Sequence, residues 1–248
     1  MNNRWVTAVR WLVVLAMPFF LGFSAIRLFI NGAEWYVTYE YGKELFPEDL
    51  AIFGENERER LGLQQLDQEE RKSLALVAVD YLQRDEPAEE VIHMLEEQRL
   101  PGTNEPLYKP SEISHMIDVK RVTDSIGQLN LIAGAIVVAG LLLLLWRPQT
   151  RRSAYRALLQ GGVFTTVLLL FIGLFIILAW NLFFVQFHEL LFPPGTWTFA
   201  YSDSLIRLFP EKFWFDFGVL LSLTALLFGV LATVIGYLLQ RRNMRRSI

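Results

Sequence analysis

The sequence predicts an all-α integral membrane protein: four transmembrane helices carrying a small helical extracytoplasmic cap. Three observations carry that prediction. Of the 248 residues, 53% are apolar and only 20% charged, whereas soluble domains run near about a quarter charged. The stretch 157–187 holds 31 residues without one Asp, Glu, Lys or Arg, and about 20 suffice to cross a bilayer core at about 1.5 Å per residue. All 26 carboxylate side chains fall within two segments, 31–125 and 188–216. A soluble enzyme and a disordered tail are excluded. The absence of cysteine removes disulfides, thiolate nucleophiles, iron–sulfur centres and cysteine zinc sites.

The elements follow in order. Residues 1–30 form the first transmembrane helix; the span is long and lacks a small-x-small cleavage site before Arg27, so it reads as an uncleaved anchor rather than a signal peptide. Residues 31–125 form the cap. There Asp67 and Glu70 resemble a capping box, followed by Leu74, Val77, Ala78, Tyr81 and Leu82 at helical spacing. Pro87 suits the first turn of a further helix with Val91 and Leu95 on one face, and the run 101–110, rich in Pro and Gly, ends it. Ser111 then N-caps a helix that runs straight into the second span, 126–146. A cytoplasmic loop, 147–156, leads to the third span, 157–187. A short outer aromatic loop, 188–216, leads to the fourth span, 217–240, and a basic tail, 241–248.

Charge sets the orientation. The 147–156 loop carries four Arg and no acid, and the tail adds Arg241, Arg242, Arg245 and Arg246. The segment 31–125 holds 10 basic against 22 acidic residues, and 188–216 holds 2 against 4. Basic residues beside span ends mark the cytoplasmic face. Both termini are therefore expected inside a plasma membrane, with cap and outer loop outside. The acidic cap also speaks against nucleic acid as a partner.

Three histidines exist. His93 lies in a charged helix and reads as a solvated surface residue. His115 stands in Ser111-Glu112-Ile113-Ser114-His115-Met116-Ile117-Asp118-Val119-Lys120, where Glu112, His115 and Asp118 are three apart and project from one helix face. A carboxylate in reach orients an imidazole and raises its basicity. His188 follows the third span in Phe187-His188-Glu189, so the topology puts His115 and His188 at one depth. Histidines at membrane interfaces also serve as plain amphipathic residues, and an i,i+3 His–Asp pair is often a surface contact. Spacing further permits a metal reading with His115, His188 and Asp118 or Glu112 as ligands, without a His-Glu-x-x-His pattern to support it. Ser24 lacks the second glycine of a nucleophile elbow.

From Trp180 to Phe217, 13 of 38 residues are aromatic. An interfacial belt accounts for several. Others, including Phe192, Trp197 and Tyr201, lie well inside the 188–216 connection beside His188 and suit the lining of a lipid-binding pocket.

The run at 111–120 resembles the first signature of the lipoprotein intramolecular transacylase family. The second block is similar too: Phe187-His188-Glu189, Phe192, Trp197, Asp203, Leu205-Ile206, Phe209-Pro210, Phe213 and Asp216. The resemblance implies a bacterial enzyme with four membrane helices and an extracytoplasmic cap. Its catalytic histidines would be His115 and His188, supported by Asp118, Glu112 and Glu189, with Phe192, Trp197, Tyr201 and Asp203 at the substrate. The reaction implied moves the sn-2 acyl chain of a diacylated lipoprotein onto the amino group of its N-terminal cysteine, giving the lyso form. It needs no cofactor and no enzyme nucleophile, only proximity and proton transfer. The expected partners are the diacylated bacterial lipoprotein and membrane lipids. His115, oriented by Asp118, then serves as base and His188 as acid or oxyanion donor, or the reverse. A metal-dependent membrane hydrolase and a non-enzymatic lipid- or partner-binding membrane protein are the alternatives.

Overall fold

A computed structural model of the chain describes residues 4–43 and 68–245. Its described helices are α1 (Arg4–Asn31), α2 (Ala33–Tyr41), α3 (Gln68–Gln83), α4 (Ala88–Val91), α5 (His93–Glu96), α6 (Pro110–Trp146), α7 (Arg151–Leu178), α8 (Trp180–Leu191), α9 (Ser204–Leu208) and α10 (Glu211–Arg245). Helices α1, α6, α7 and α10 are each long and apolar enough to cross a membrane. α6 has 37 residues, about 55 Å of helix against about 30 Å of hydrocarbon. Its first part, bearing Glu112, Asp118, Lys120, Arg121 and Asp124, therefore lies outside the apolar span.

The chain divides into two compact units. One takes the described residues of 1–27, 125–180 and 218–248; the other takes those of 28–124 and 181–217. The first unit is the apolar one. Val6, Val13, Val14, Met17, Val137, Leu144, Ala154, Ala157 and Ala232 form its core. Leu131, Phe171 and Leu178 stay exposed, as side chains that face lipid must. Lipid offers helices no hydrophobic drive to associate, so close backbone contact has to supply it. Glycines permit that contact: a Cβ on Gly162 would stand 2.5 Å from the Thr233 nitrogen, and one on Gly236 2.5 Å from the Leu159 nitrogen. Asn130 donates from Nδ2 to the Phe20 carbonyl and to Ser24 Oγ, both at 2.9 Å. Ser24 is thereby a helix-packing acceptor.

The stretch 157–187, read from the sequence as one span, is broken at Ala179. There φ −144° and ψ 49° interrupt the helix between α7 and α8. No proline marks the break, and the uniformly apolar sequence gives no local sign of it.

The second unit is held by buried polar groups. Tyr36 donates its hydroxyl to the Phe213 carbonyl at 2.7 Å, Tyr41 to that of Leu208 at 2.8 Å and Tyr81 to that of Met116 at 3.2 Å. Lys120 is fully buried and donates to the Arg84 carbonyl at 2.7 Å and to Asp124 Oδ1 at 3.0 Å. α3 packs against α2, α5 and α9. It buries Ala75, Ala78, Val79 and Tyr81, while the expected Leu74, Val77 and Leu82 are half-buried. Of the expected capping box, Asp67 lies outside the described residues, as does Arg246 of the basic tail. Pro87 caps α4, and Val91 and Leu95 are both buried as their spacing predicts. The turn that follows needs Gly102 at φ +76°, a backbone region glycine enters without steric cost.

α6 begins at Pro110, one residue before the expected cap. Proline suits a first helical position, where its missing N–H would go unbonded anyway. The cap is supplied by Glu112, whose Oε2 accepts the Lys109 N–H at 2.7 Å. A carboxylate three residues in, reaching back to the residue before the helix, is half of a capping box.

Candidate active site

α6 presents His115 in its second turn and α8 presents His188 in its last. The two imidazoles stand 6.4 Å apart between ring centres and within 24° of parallel. A single substrate atom, hydrogen-bonding at about 2.8 Å to each ring, can bridge such a gap. Aromatic side chains enclose the pair. Phe192 and Phe199 meet His115 edge-on at 4.9 and 5.3 Å. Phe184, Trp197, Phe187 and Phe192 stand 4.1, 5.0, 5.4 and 5.5 Å from His188. The chain after α8 turns at Pro193–Gly195, where Gly195 adopts φ +83°, and then reaches Trp197 and Phe199.

The two histidines differ in their hydrogen bonds. His188 Nδ1 lies 2.7 Å from the Phe184 carbonyl oxygen. That oxygen only accepts, so Nδ1 carries the hydrogen and the neutral ring keeps its lone pair on Nε2. His115 is buried, and its Nδ1 has no hydrogen-bond partner among the described residues. Burial, with a smaller contribution from the neighbouring His188, holds the His115 pKa down to about 4. Burial also lowers that of His188, against the opposing pull of the Phe184 carbonyl. Both rings are thus neutral near pH 7.

The expected supporting groups fall elsewhere. Asp118 does not orient His115. Its Oδ1 pairs instead with Arg121 at 3.3 Å, three residues further along the helix. Glu112 is fully buried and accepts two backbone N–H groups, that of Lys109 and that of Leu205 at 2.6 Å from Oε1. It ties the start of α6 to the start of α9. Burial raises its pKa against those two hydrogen bonds. Glu189 is exposed and takes the Gln186 amide at 2.9 Å. Asp203 is buried, accepts the Ala200 N–H at 3.1 Å and pairs with Lys109. It anchors the loop. Tyr201 is 65% exposed.

Of the expected lining residues, Phe192 and Trp197 stand at the histidines. The Phe184 carbonyl was not legible in the sequence, since every helical residue has a carbonyl four positions back. His93 is exposed, with Nδ1 3.0 Å from the Glu90 carbonyl. Among the described residues, no group of three or more His, Asp or Glu side chains is arranged to hold a metal ion.

The family model of the lipoprotein intramolecular transacylase Lit matches residues 11–214. The chain belongs to that family. It is a transferase that carries out intramolecular acyl transfer in lipoproteins, and a multi-pass membrane protein. An uncharacterized protein of Aquifex aeolicus (strain VF5) is 31% identical over 228 residues, 92% of either chain. In fold, the chain is similar to the membrane-integral lipoprotein intramolecular transacylase Lit of Bacillus cereus, solved in meso, with a TM-score of 0.72 at 20% identity over 99% of both chains. Two variants of that protein, with one histidine replaced by arginine or by alanine, superpose with TM-scores of 0.63 and 0.64 at 21% and 22% identity. They cover 99% and 98% of this chain and 95% and 97% of their own.

Proposed function

We propose that this transacylase moves the sn-2 acyl chain of a diacylated lipoprotein to the amino group of its N-terminal cysteine, leaving the lyso form. The observation that supports this reading is the pair of neutral imidazoles facing one another inside an aromatic enclosure. An α-amino group has a pKa of about 7.7–8.0, so near neutrality much of it is protonated and cannot attack. The neutral fraction attacks, and the nitrogen, once bonded to the acyl carbon, must lose a proton to a base. The lone pair on His188 Nε2 suits that task, because the Phe184 carbonyl fixes the tautomer that exposes it. His188 accepts the amine proton and returns it to the departing glyceryl oxygen. His115, whose affinity for a proton burial has lowered, serves as a neutral donor to the acyl oxygen.

The aromatic enclosure confines the acyl chains, so that amine and ester meet without a large loss of freedom at the moment of reaction. No cofactor enters this scheme. The charge asymmetry supports cytoplasmic termini and extracytoplasmic segments 31–125 and 188–216, and membrane lipids are expected partners.

Tandem mass spectrometry of a synthetic diacylglyceryl-cysteine lipopeptide, incubated with the purified protein in lipid, tests the reading. Acyl migration leaves total mass unchanged, so the fragments must show an acyl chain amide-linked to cysteine. That product is expected from the wild type and absent with His115→Ala and His188→Ala. Free fatty acid without amide would make the protein a hydrolase. Folded protein with no reaction over several chain lengths would make it a binding protein.

A further inference from the structure

The enclosure around the histidines contains a second unused hydrogen-bond donor. Trp197 Nε1 is buried and has no partner among the described residues. An indole N–H taken out of water almost always finds an acceptor, since leaving it unpaired costs free energy. Here the neighbours supply none. The Trp197 ring centre stands 5.0 Å from that of His188, and the other side chains around the pair are the phenyl rings of Phe184, Phe187, Phe192 and Phe199. The hydrogen-bonding atom of His188 on the Phe184 side is already engaged. The Pro193–Gly195 turn, with Gly195 at φ +83°, brings the indole there, and Phe192 and Asp203 secure the two ends of the loop by packing and by hydrogen bonds.

We propose that the Trp197 indole N–H is a catalytic hydrogen-bond donor to the acyl oxygen of the substrate ester; this rests on the acyl transfer proposed above. The step balances within the substrate. The amine nitrogen forms a bond to the acyl carbon, and the carbonyl π pair moves onto the oxygen. The amine proton passes to His188 Nε2. The carbonyl then re-forms, the bond to the glyceryl oxygen breaks, and His188 returns the proton to that oxygen. Negative charge on the acyl oxygen exists only between those two events. A fixed N–H in an apolar enclosure is worth most there. Trp197 and His115 Nδ1, the two buried unpaired nitrogens of the site, are then both completed by substrate.

The decisive variant exchanges the indole for its sulfur isostere, 3-benzothienylalanine, installed at position 197 of the full chain. It keeps the ring shape and lacks the N–H. With the diacylglyceryl-cysteine lipopeptide as substrate, kcat is expected to fall by about 10²–10³ while KM and Tm are unchanged. Trp197→Phe should lose at least as much. A benzothienyl variant with wild-type kcat would overturn the proposal, whatever Trp197→Phe does, because shape rather than the N–H would then be what matters. A fall in kcat matched by a lowered Tm would also overturn it, in favour of a structural indole. Amide-linked product from the wild type in the same assay keeps the acyl-transfer reading standing in either case.

Discussion

The two units solve the same problem by opposite means. In the apolar unit, backbones are brought together by leaving side chains out, and at Gly162 and Gly236 a single added methyl would stand 2.5 Å from a neighbouring backbone nitrogen. In the second unit, backbones are joined by putting polar side chains in. Tyr36, Tyr41 and Tyr81 reach main-chain carbonyls, and Glu112 reaches main-chain N–H groups at both Lys109 and Leu205. The contrast teaches where unpaired polarity acquires meaning. Against the bonded Tyr36, Tyr41, Tyr81, Lys120 and Glu112, the bare Nδ1 of His115 and Nε1 of Trp197 stand out because both lie at the histidine pair.

The largest way to sharpen that contrast is to remove the chemistry and keep the fold. His188→Ala is expected to lower kcat by about 10²–10⁴ with Tm unchanged, read from the rate of amide formation. A pH–rate profile refines it. Both histidines have pKa values below the ordinary 6.5, so kcat/KM should rise through the amine range of about 7.7–8.0 and show no inflection at 6.5. Stability carries the same sign. At these two rings the unfolded chain binds more protons than the native one below pH 6.5, so their contribution is complete above 6.5 and is lost as pH falls below it, for His115 through about 4.

Next in size, Gly236→Leu should break the apolar unit alone. Overpacking of this kind costs about 1–3 kcal/mol or more, here against backbone that cannot rotate away. Thermal unfolding in detergent should show the lowered Tm. Glu112→Gln tests the opposite device. A neutral amide has one oxygen for two N–H groups, so a loss of about 1–2 kcal/mol is expected, together with reduced activity, since α9 and the loop before it share that anchor. Glu112→Ala should be worse on both measures. The smallest effect belongs to Asp118→Asn. Its carboxylate meets Arg121 at a partly exposed position, a contact worth about 0–1 kcal/mol, and activity should stay within about threefold of wild type. A large loss would restore Asp118 to His115.

Much of the site was legible before any fold was known. Charge segregation and the uncharged run 157–187 give the membrane spans, because desolvating a charge in hydrocarbon is costly. The motif around His115 and the one around His188 single out two imidazoles whose ring centres stand 6.4 Å apart, with Phe192 and Trp197 beside them. The local pattern misled where it relied on helix spacing alone. Glu112, His115 and Asp118 share a face by periodicity, yet each side chain follows the strongest partner in reach: two N–H groups for Glu112, Arg121 for Asp118.

What the sequence by itself determined is the class: which segments are apolar enough to meet lipid and which carry charge. Those properties follow from single-residue transfer energies and add along the chain. The tertiary structure decided the break at Ala179, the tautomer of His188 through a backbone oxygen, and the nitrogens of His115 and Trp197 left without partners. Each of these depends on which groups meet across distances the chain does not record. A hydrogen bond is a property of two placed atoms, and so is its absence.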